Sequence, residues 1–181
     1  KKNIFRIDKD YSYVKNLYFY QKEEIFAIID DILENESDSK TVVFCNSAGR
    51  MHEMNRKYGD TADYYCSSSS SNKKLKAMCG IDEKTKKVKD CISVYPDGRI
   101  TFEKRILFTT TVLDNGVDLK DEKIKHIFSE IFDADSMIQS LGRKRSLNDN
   151  DTCTFYIREF QPKAIQGFIN INNAQLEPVK L

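Results

Sequence analysis

Residues 40–59 read KTVVFCNSAGRMHEMNRKYG, and the change of period halfway along decides the fold class. Residues 41–45 are an apolar, β-branched run without alternation, the pattern of a strand buried on both faces of a parallel sheet. From Ala48 the period lengthens. Met51, Met54 and Tyr58 fall on one helical face, and Gly59 stands where a helix C-cap is expected. Between the two periods, Asn46 and Ser47 end the strand and open the helix, with Ser47 suited to its N-cap.

The same strand–helix alternation extends outward. Upstream, QKEEIFAIIDDILENES places Ile25, Ile28, Ile29, Ile32 and Leu33 at the spacing of an amphipathic helix, with acidic residues in its first turn. Before it, YSYVKNLYFY has no clean period and reads as an irregular lead-in or a short strand. Downstream, TADYYC is strand-like and runs into the serine-rich residues 67–71, which suit a nucleic-acid groove or a flexible linker equally. NKKLKAMCG suggests a short helix, and CISVYPDGRITFEK a hairpin or two short strands about a Pro-Asp-Gly turn. RILFTTT, KIKHIFSEIF and DTCTFYIRE are further strands, with a helix over Ala134–Leu141 before the last and a terminal helix or arm at AIQGFINI. The expected fold is therefore α/β, with a mostly parallel central sheet flanked by helices. The expected divisions are a lead-in over 1–22, the main domain over 23–160 and a C-terminal helix or arm over 161–181.

Composition excludes several classes of function. With 40% hydrophobic and 31% charged residues, the 181-residue chain suits one buried domain rather than a disordered segment. No apolar run approaches the ~20 residues that span a bilayer, so no membrane role is expected. Five cysteines without a CxxC pair and only two histidines argue against a zinc site and a secreted disulfide framework. Buried free thiols in a cytoplasmic protein are the expectation. The net charge of +1 carries no global nucleic-acid signature, although residues 72–105 hold ten Lys/Arg against five Asp/Glu. The chain opens at Lys1 without Met, which suggests a piece of something longer.

In open α/β sheets ligands gather at the carboxyl ends of strands, so the informative residues stand just after them. Three such segments are NSAGR, TTVLDNGVD and QSLGRKR. No GxxxxGK[ST] loop is present to cradle a triphosphate, nor a GxSxG elbow. QSLGRKR has two readings. It is a helix stopped by Gly142 whose basic residues offset the helix dipole, or a pair of arginines aimed at phosphate.

Taken in order, VVFCNS, FTTTVLDNGVDLKD and MIQSLGRKR resemble motifs IV, V and VI of the second RecA-like domain of superfamily 2 DEAD/DEAH-type helicases, over Glu23 to Arg158. Their particular forms look most like the helicase-family proteins of Gram-positive bacteria and mobile elements. The resemblance implies a RecA-like three-layer domain and a set of roles. The family pattern Q-x-x-G-R-x-x-R matches Gln139, Gly142 and Arg143, which makes Arg143 the arginine finger on a nucleotide held by another domain. The second arginine position falls on Ser146, one residue after Arg145. Either a local shift brings Arg145 to that place or the second finger is missing. Gly116 would allow close backbone approach to the nucleotide, as would Gly142, and Asp118 falls where the family sets a carboxylate near the ribose. Asn115 stands where many relatives carry arginine, and Asn-Gly is also a strong turn signal. Asn46, Ser47, Thr110 and Thr109 fall where the family grips the nucleic-acid backbone. Arg50 reads as an ordinary surface arginine.

The implied function is the C-terminal motor half of an ATP-dependent helicase or translocase. ATP and Mg2+ would be bound mainly by an N-terminal RecA-like domain of the same polypeptide, with DNA or RNA as partner. On that reading the fragment alone hydrolyses no ATP. A nuclease or methyltransferase partner is left open. The alternative is a catalytically inactive RecA-like module that keeps the nucleic-acid surface.

Overall fold

The computed structural model describes residues 11–67, 70–82, 92–96, 99–110 and 118–176. Its centre is a six-stranded sheet with the order β1-β9-β8-β2-β6-β3, parallel at every pairing. The strands are β1 (Val14–Tyr20), β2 (Lys40–Phe44), β3 (Ala62–Tyr65), β6 (Ile106–Thr109), β8 (Ile124–Ser129) and β9 (Cys153–Arg158). Helices α1 (Ile25–Asn35), α2 (Ala48–Tyr58), α3 (Lys73–Met78), α4 (Ala134–Leu141) and α5 (Pro162–Leu176) connect or follow them. A second, three-stranded sheet has the order β4-β5-β7, built from β4 (Ile92–Val94), β5 (Arg99–Phe102) and β7 (Asp118–Leu119).

Strand alternation explains why the apolar runs are continuous. Along β2 and just beyond, Val43 and Cys45 enter one core with Met51, Met54 and Ile29, while Val42 and Phe44 enter the other with Ile100, Leu119 and Ile127. Successive side chains point to opposite faces, and both faces are covered, so most positions on either face are apolar. The first face carries α1, α2 and α3. The second is covered by Met137 and Leu141 of α4 together with β5 and β7. The helical face of Met51, Met54 and Tyr58 is buried as its spacing predicts, and Gly59 ends α2 at φ 47°. A side chain rarely adopts that left-handed conformation.

Three expectations are refined. YSYVKNLYFY forms a seven-residue strand in register with β9, so the central sheet begins before Glu23. The acidic residues expected in the first turn of α1 precede it: Glu24 is the N-cap and the first turn holds none. The hairpin is present as β4 paired antiparallel with β5, Ile92 opposite Phe102, with its Asp97 and Gly98 outside the described residues. Cys45, Cys66, Cys79 and Cys153 are buried free thiols, and Cys91 lies outside the described residues. Burial pushes the Cys45 thiol up to about 12, which keeps it protonated and inert. Among the described residues no helix is long and apolar enough to cross a membrane.

The lower edge of the sheet is held by charge. Lys40 Nζ meets Asp121 Oδ2 at 2.8 Å with both side chains mostly buried. Burial alone would raise the Asp121 carboxyl, but the Lys40 ammonium and the Lys123 amide hold it below the usual carboxylate range. A depressed folded value means the stabilisation is complete above the unfolded pKa of about 3.9 and is lost as pH falls through the lower folded value. Asp121→Asn is accordingly expected to flatten the stability profile below about pH 4. Urea unfolding across that range checks it; an unchanged acid limb would contradict the assignment.

Candidate nucleotide and nucleic-acid interface

The strand ends present the residues singled out above. At the end of β2 the chain leaves the core at Cys45, and Asn46 and Ser47 are exposed. Ser47 is extended at φ −99° and ψ 118°, and its Oγ accepts the Arg50 amide at 3.3 Å. It is the N-cap its position suggested. Its exposed hydroxyl thus stands at a helix N-terminus, where backbone N–H groups and the helix dipole favour anions. At the end of β6, Thr110 is half-buried and its amide donates to the Tyr65 carbonyl at 3.2 Å. Thr109 is fully enclosed, its hydroxyl donating to the Thr110 carbonyl at 3.0 Å. The Thr109 side chain therefore offers nothing to a ligand at the surface. Gly116 and Asn115 lie outside the described residues.

Helix α4 covers Ala134–Leu141 as its sequence predicts, capped by the Asp133 carboxylate, which accepts the Ser136 amide at 2.8 Å. That hydrogen bond holds the Asp133 carboxyl below its usual range. Gln139 is exposed on the helix. At the C-terminus Gly142 is the C-cap, as the sequence suggested, with a right-handed φ of −64°. A Cβ there would meet only the Gln139 and Ile138 carbonyl oxygens, at 3.5 and 3.6 Å. Gly142→Ala is therefore expected to leave the fold intact and to raise stability by about 0.4–1 kcal/mol, measurable by chemical unfolding. A clear destabilisation would show that the backbone needs this glycine after all.

Arg143 still belongs to the turn that ends α4, its amide donating to the Ser140 carbonyl at 3.2 Å, and at Lys144 the chain bridges β7. The Leu119 amide donates to the Arg143 carbonyl at 2.8 Å, the Arg145 amide donates to the Leu119 carbonyl at 3.1 Å, and Lys144 is the bridged residue. The three basic side chains then differ in burial. Lys144 turns inward and is fully buried against an equally buried Asp151, with Nζ 2.6 Å from Oδ1 and 2.5 Å from Oδ2. Its third donor reaches the Asp121 carbonyl at 3.1 Å. Arg145 is exposed, with Nε 2.9 Å from Asp118 Oδ1, and Arg143 is half-buried. The fold thus brings Asp118 and Arg145 into contact, although the sequence separates them by the whole of β8 and α4.

Asp151 also accepts the Leu147 amide at 3.0 Å, so one carboxylate fastens both ends of the loop after α4. Lys144 and Asp151 are the residues that sequence reasoning missed. The signal was weak: a lysine between two arginines, and an aspartate just before a strand. Arg50 is a correction. It is buried, not a surface arginine, and its guanidinium grips Glu130 through Nε at 2.8 Å and Nη2 at 2.9 Å, while Nη1 reaches Glu53 at 2.7 Å. Glu130 follows β8 and is itself buried, so this pair locks the N-terminal turn of α2 to the neighbouring strand end.

What this arrangement can do follows from its donors. Two guanidinium groups suit phosphate oxygens, and a carboxylate such as Asp118 suits a sugar hydroxyl. Among the described residues no group of three or more His, Cys, Asp or Glu stands together to hold a metal.

Known proteins resemble the chain in the same region. Residues 24–146 match the helicase conserved C-terminal domain. Among solved structures, S. cerevisiae Dbp5 bound to RNA and ADP BeF3 is similar with a TM-score of 0.50 and 12% identity, over 92% of this chain and 39% of that one. A point variant of the same protein with the same ligands gives 0.51 at the same identity and coverage. The E. coli DEAD-box protein SrmB, bound to regulator of ribonuclease activity A, gives 0.47 at 16% identity over 80% of this chain and 76% of that one. No curated protein matches in sequence. At 12% identity the likeness to Dbp5 is one of fold, and the chain spans about 39% of that protein's length. The family match covers more than half of the chain and includes the strand ends just described, and the chain belongs to the helicase conserved C-terminal domain family.

Proposed function

We propose that this domain is the C-terminal motor half of an ATP-dependent helicase or translocase. An N-terminal RecA-like domain of the same polypeptide holds most of the ATP and its Mg2+, and this domain closes against it. Bound ATP supplies the phosphoryl chemistry. Arg143 faces the phosphates as the principal finger and Arg145 is its partner, with Gln139 beside them. Asp118 faces the ribose, while Gly116 and Gly142 let the backbone come close. Asn46, Ser47 and Thr110 hold the DNA or RNA backbone, a grip with little sequence preference.

One observation carries this reading: the buried Lys144–Asp151 pair that staples the loop after α4. A phosphate clamp works only if its donors are held in place beforehand, because small misplacements cost large factors in rate. Burying Lys144 fixes the backbone that carries Arg143 and Arg145 on either side of it. The Dbp5 structures similar in fold are complexes with RNA and ADP BeF3, which supports both classes of ligand.

A second reading, the inactive binding module, draws support from the Arg145–Asp118 contact, which engages one of the two arginines within the domain. ATP hydrolysis by the longer polypeptide, with and without single-stranded DNA or RNA, separates the two. Turnover stimulated by nucleic acid is the expected result. A longer chain that binds nucleic acid but never turns over ATP would leave the module reading in place.

A further inference from the structure

Three phenylalanines from three elements meet above the carboxyl ends of β8 and β9. Phe132 follows β8, Phe160 follows β9 and Phe168 stands on α5. Phe132 and Phe168 are stacked, with centroids 4.2 Å and planes 15° apart. Phe160 meets Phe132 edge-on at 5.1 Å, and the Arg158 guanidinium lies over the Phe160 ring at 4.8 Å. The cluster is not sealed, for Phe132 and Phe168 are each 39% exposed. It lines an open cleft of about 890 Å³ whose other walls include Asn46, Ser47 and Arg158.

The charges in the cleft favour one kind of occupant. Both carboxylates are already engaged, Glu130 by Arg50 and Asp133 by the Ser136 amide. Arg158 is held loosely, 4.0 Å from Glu130, and its Nε is buried with no hydrogen-bond partner among the described residues. A purely apolar partner would cover the rings but leave the Arg158 donor unmatched, and unmatched buried polar groups are costly. A nucleotide brings a flat π-face, acceptor atoms and a phosphate together.

We infer that this cleft is a base-stacking subsite for single-stranded nucleic acid. A nucleotide whose phosphate lies at Asn46 and Ser47 places its base against the exposed parts of Phe132 and Phe168, and Arg158 donates to it. The inference rests on the backbone grip assigned to Asn46 and Ser47 above. It adds a preference for unpaired strands, because a duplex hides the base faces.

The test is fluorescence anisotropy of the 181-residue chain at low salt, with a short oligothymidylate and a strand of the same length carrying abasic sites at its centre. The oligothymidylate is expected to bind about tenfold or more tighter than the abasic strand. Phe168→Ala and Phe132→Ala are expected to remove most of that difference, and Phe168→Tyr to retain it, with thermal unfolding confirming that each variant is folded. Equal binding of both strands by the wild-type chain overturns the subsite and leaves the grip standing; this comparison needs no variant. Equal losses on both strands in Phe168→Ala also overturn it, since the ring would then only be anchoring α5. Binding of neither strand overturns the subsite and the grip together.

Discussion

Asp151→Asn is expected to cost about 3–5 kcal/mol of folding stability, the usual penalty for removing one member of a fully buried ion pair. The size follows from burial. The Lys144 and Asp151 side chains are both without solvent exposure, and Lys144 would keep its charge while losing the carboxylate's negative charge and one of the two oxygens at 2.5 and 2.6 Å. Asparagine retains one acceptor for the Leu147 amide, so the loss isolates the charge rather than the loop bond. Against a total of about 5–15 kcal/mol for a typical domain, such a change approaches unfolding. Urea titration measures it. The paired replacement Lys144→Met with Asp151→Leu is expected to recover much of the loss, because no charge is then stranded. A shift below about 1 kcal/mol for Asp151→Asn would mean that water reaches the pair.

In the longer polypeptide, Arg143→Ala is expected to lower kcat for ATP hydrolysis by about 10³–10⁵, the range for loss of an arginine finger. Arg143→Lys is expected to restore little, because a point charge does not reproduce a planar fork of donors. Steady-state turnover with saturating single-stranded nucleic acid measures both, and retained nucleotide binding separates a catalytic loss from a lost site. Arg145→Ala serves as the internal comparison. Its contact with Asp118 is exposed, so removing it costs at most about 1 kcal/mol of stability, and any larger effect on turnover reports its role toward the nucleotide. Full activity in Arg143→Ala would make QSLGRKR a helix end with basic decoration, and the proposed motor role would lose its principal residue.

How much could be read in advance varied with the range of the interactions involved. The α2 helix, the β2 and β6 strands and α4 were legible because each is dictated by local periodicity and by burial of one or two faces. The lead-in was harder. Residues 14–20 carry aromatic side chains on both faces of an edge strand, with Leu17, Tyr18 and Phe19 more than half exposed. With only its ends, Val14 and Tyr20, packed on the cores, this edge strand shows no alternation to read. Two-residue β7 was invisible for the opposite reason: so short a segment has no period, and only its pairing with β5 and with Lys144 defines it.

The candidate site divides in the same way. Ser47 as N-cap and Asn46 as the exposed strand end were legible, because a cap is a local hydrogen bond between residues three apart. Arg50 was misread, since its burial depends on Glu130, eighty residues away at another strand end. By itself the sequence determined the α/β class, the order of most strands and helices along the chain, and the three post-strand segments singled out as candidates for the site. Only the tertiary structure decided what the three basic residues after Gly142 do. The bridge to Leu119 and the ion pair with Asp151 bury Lys144, while Arg143 stays half-buried and Arg145 lies exposed against Asp118. Those contacts join residues that the chain keeps far apart, and no local pattern records them.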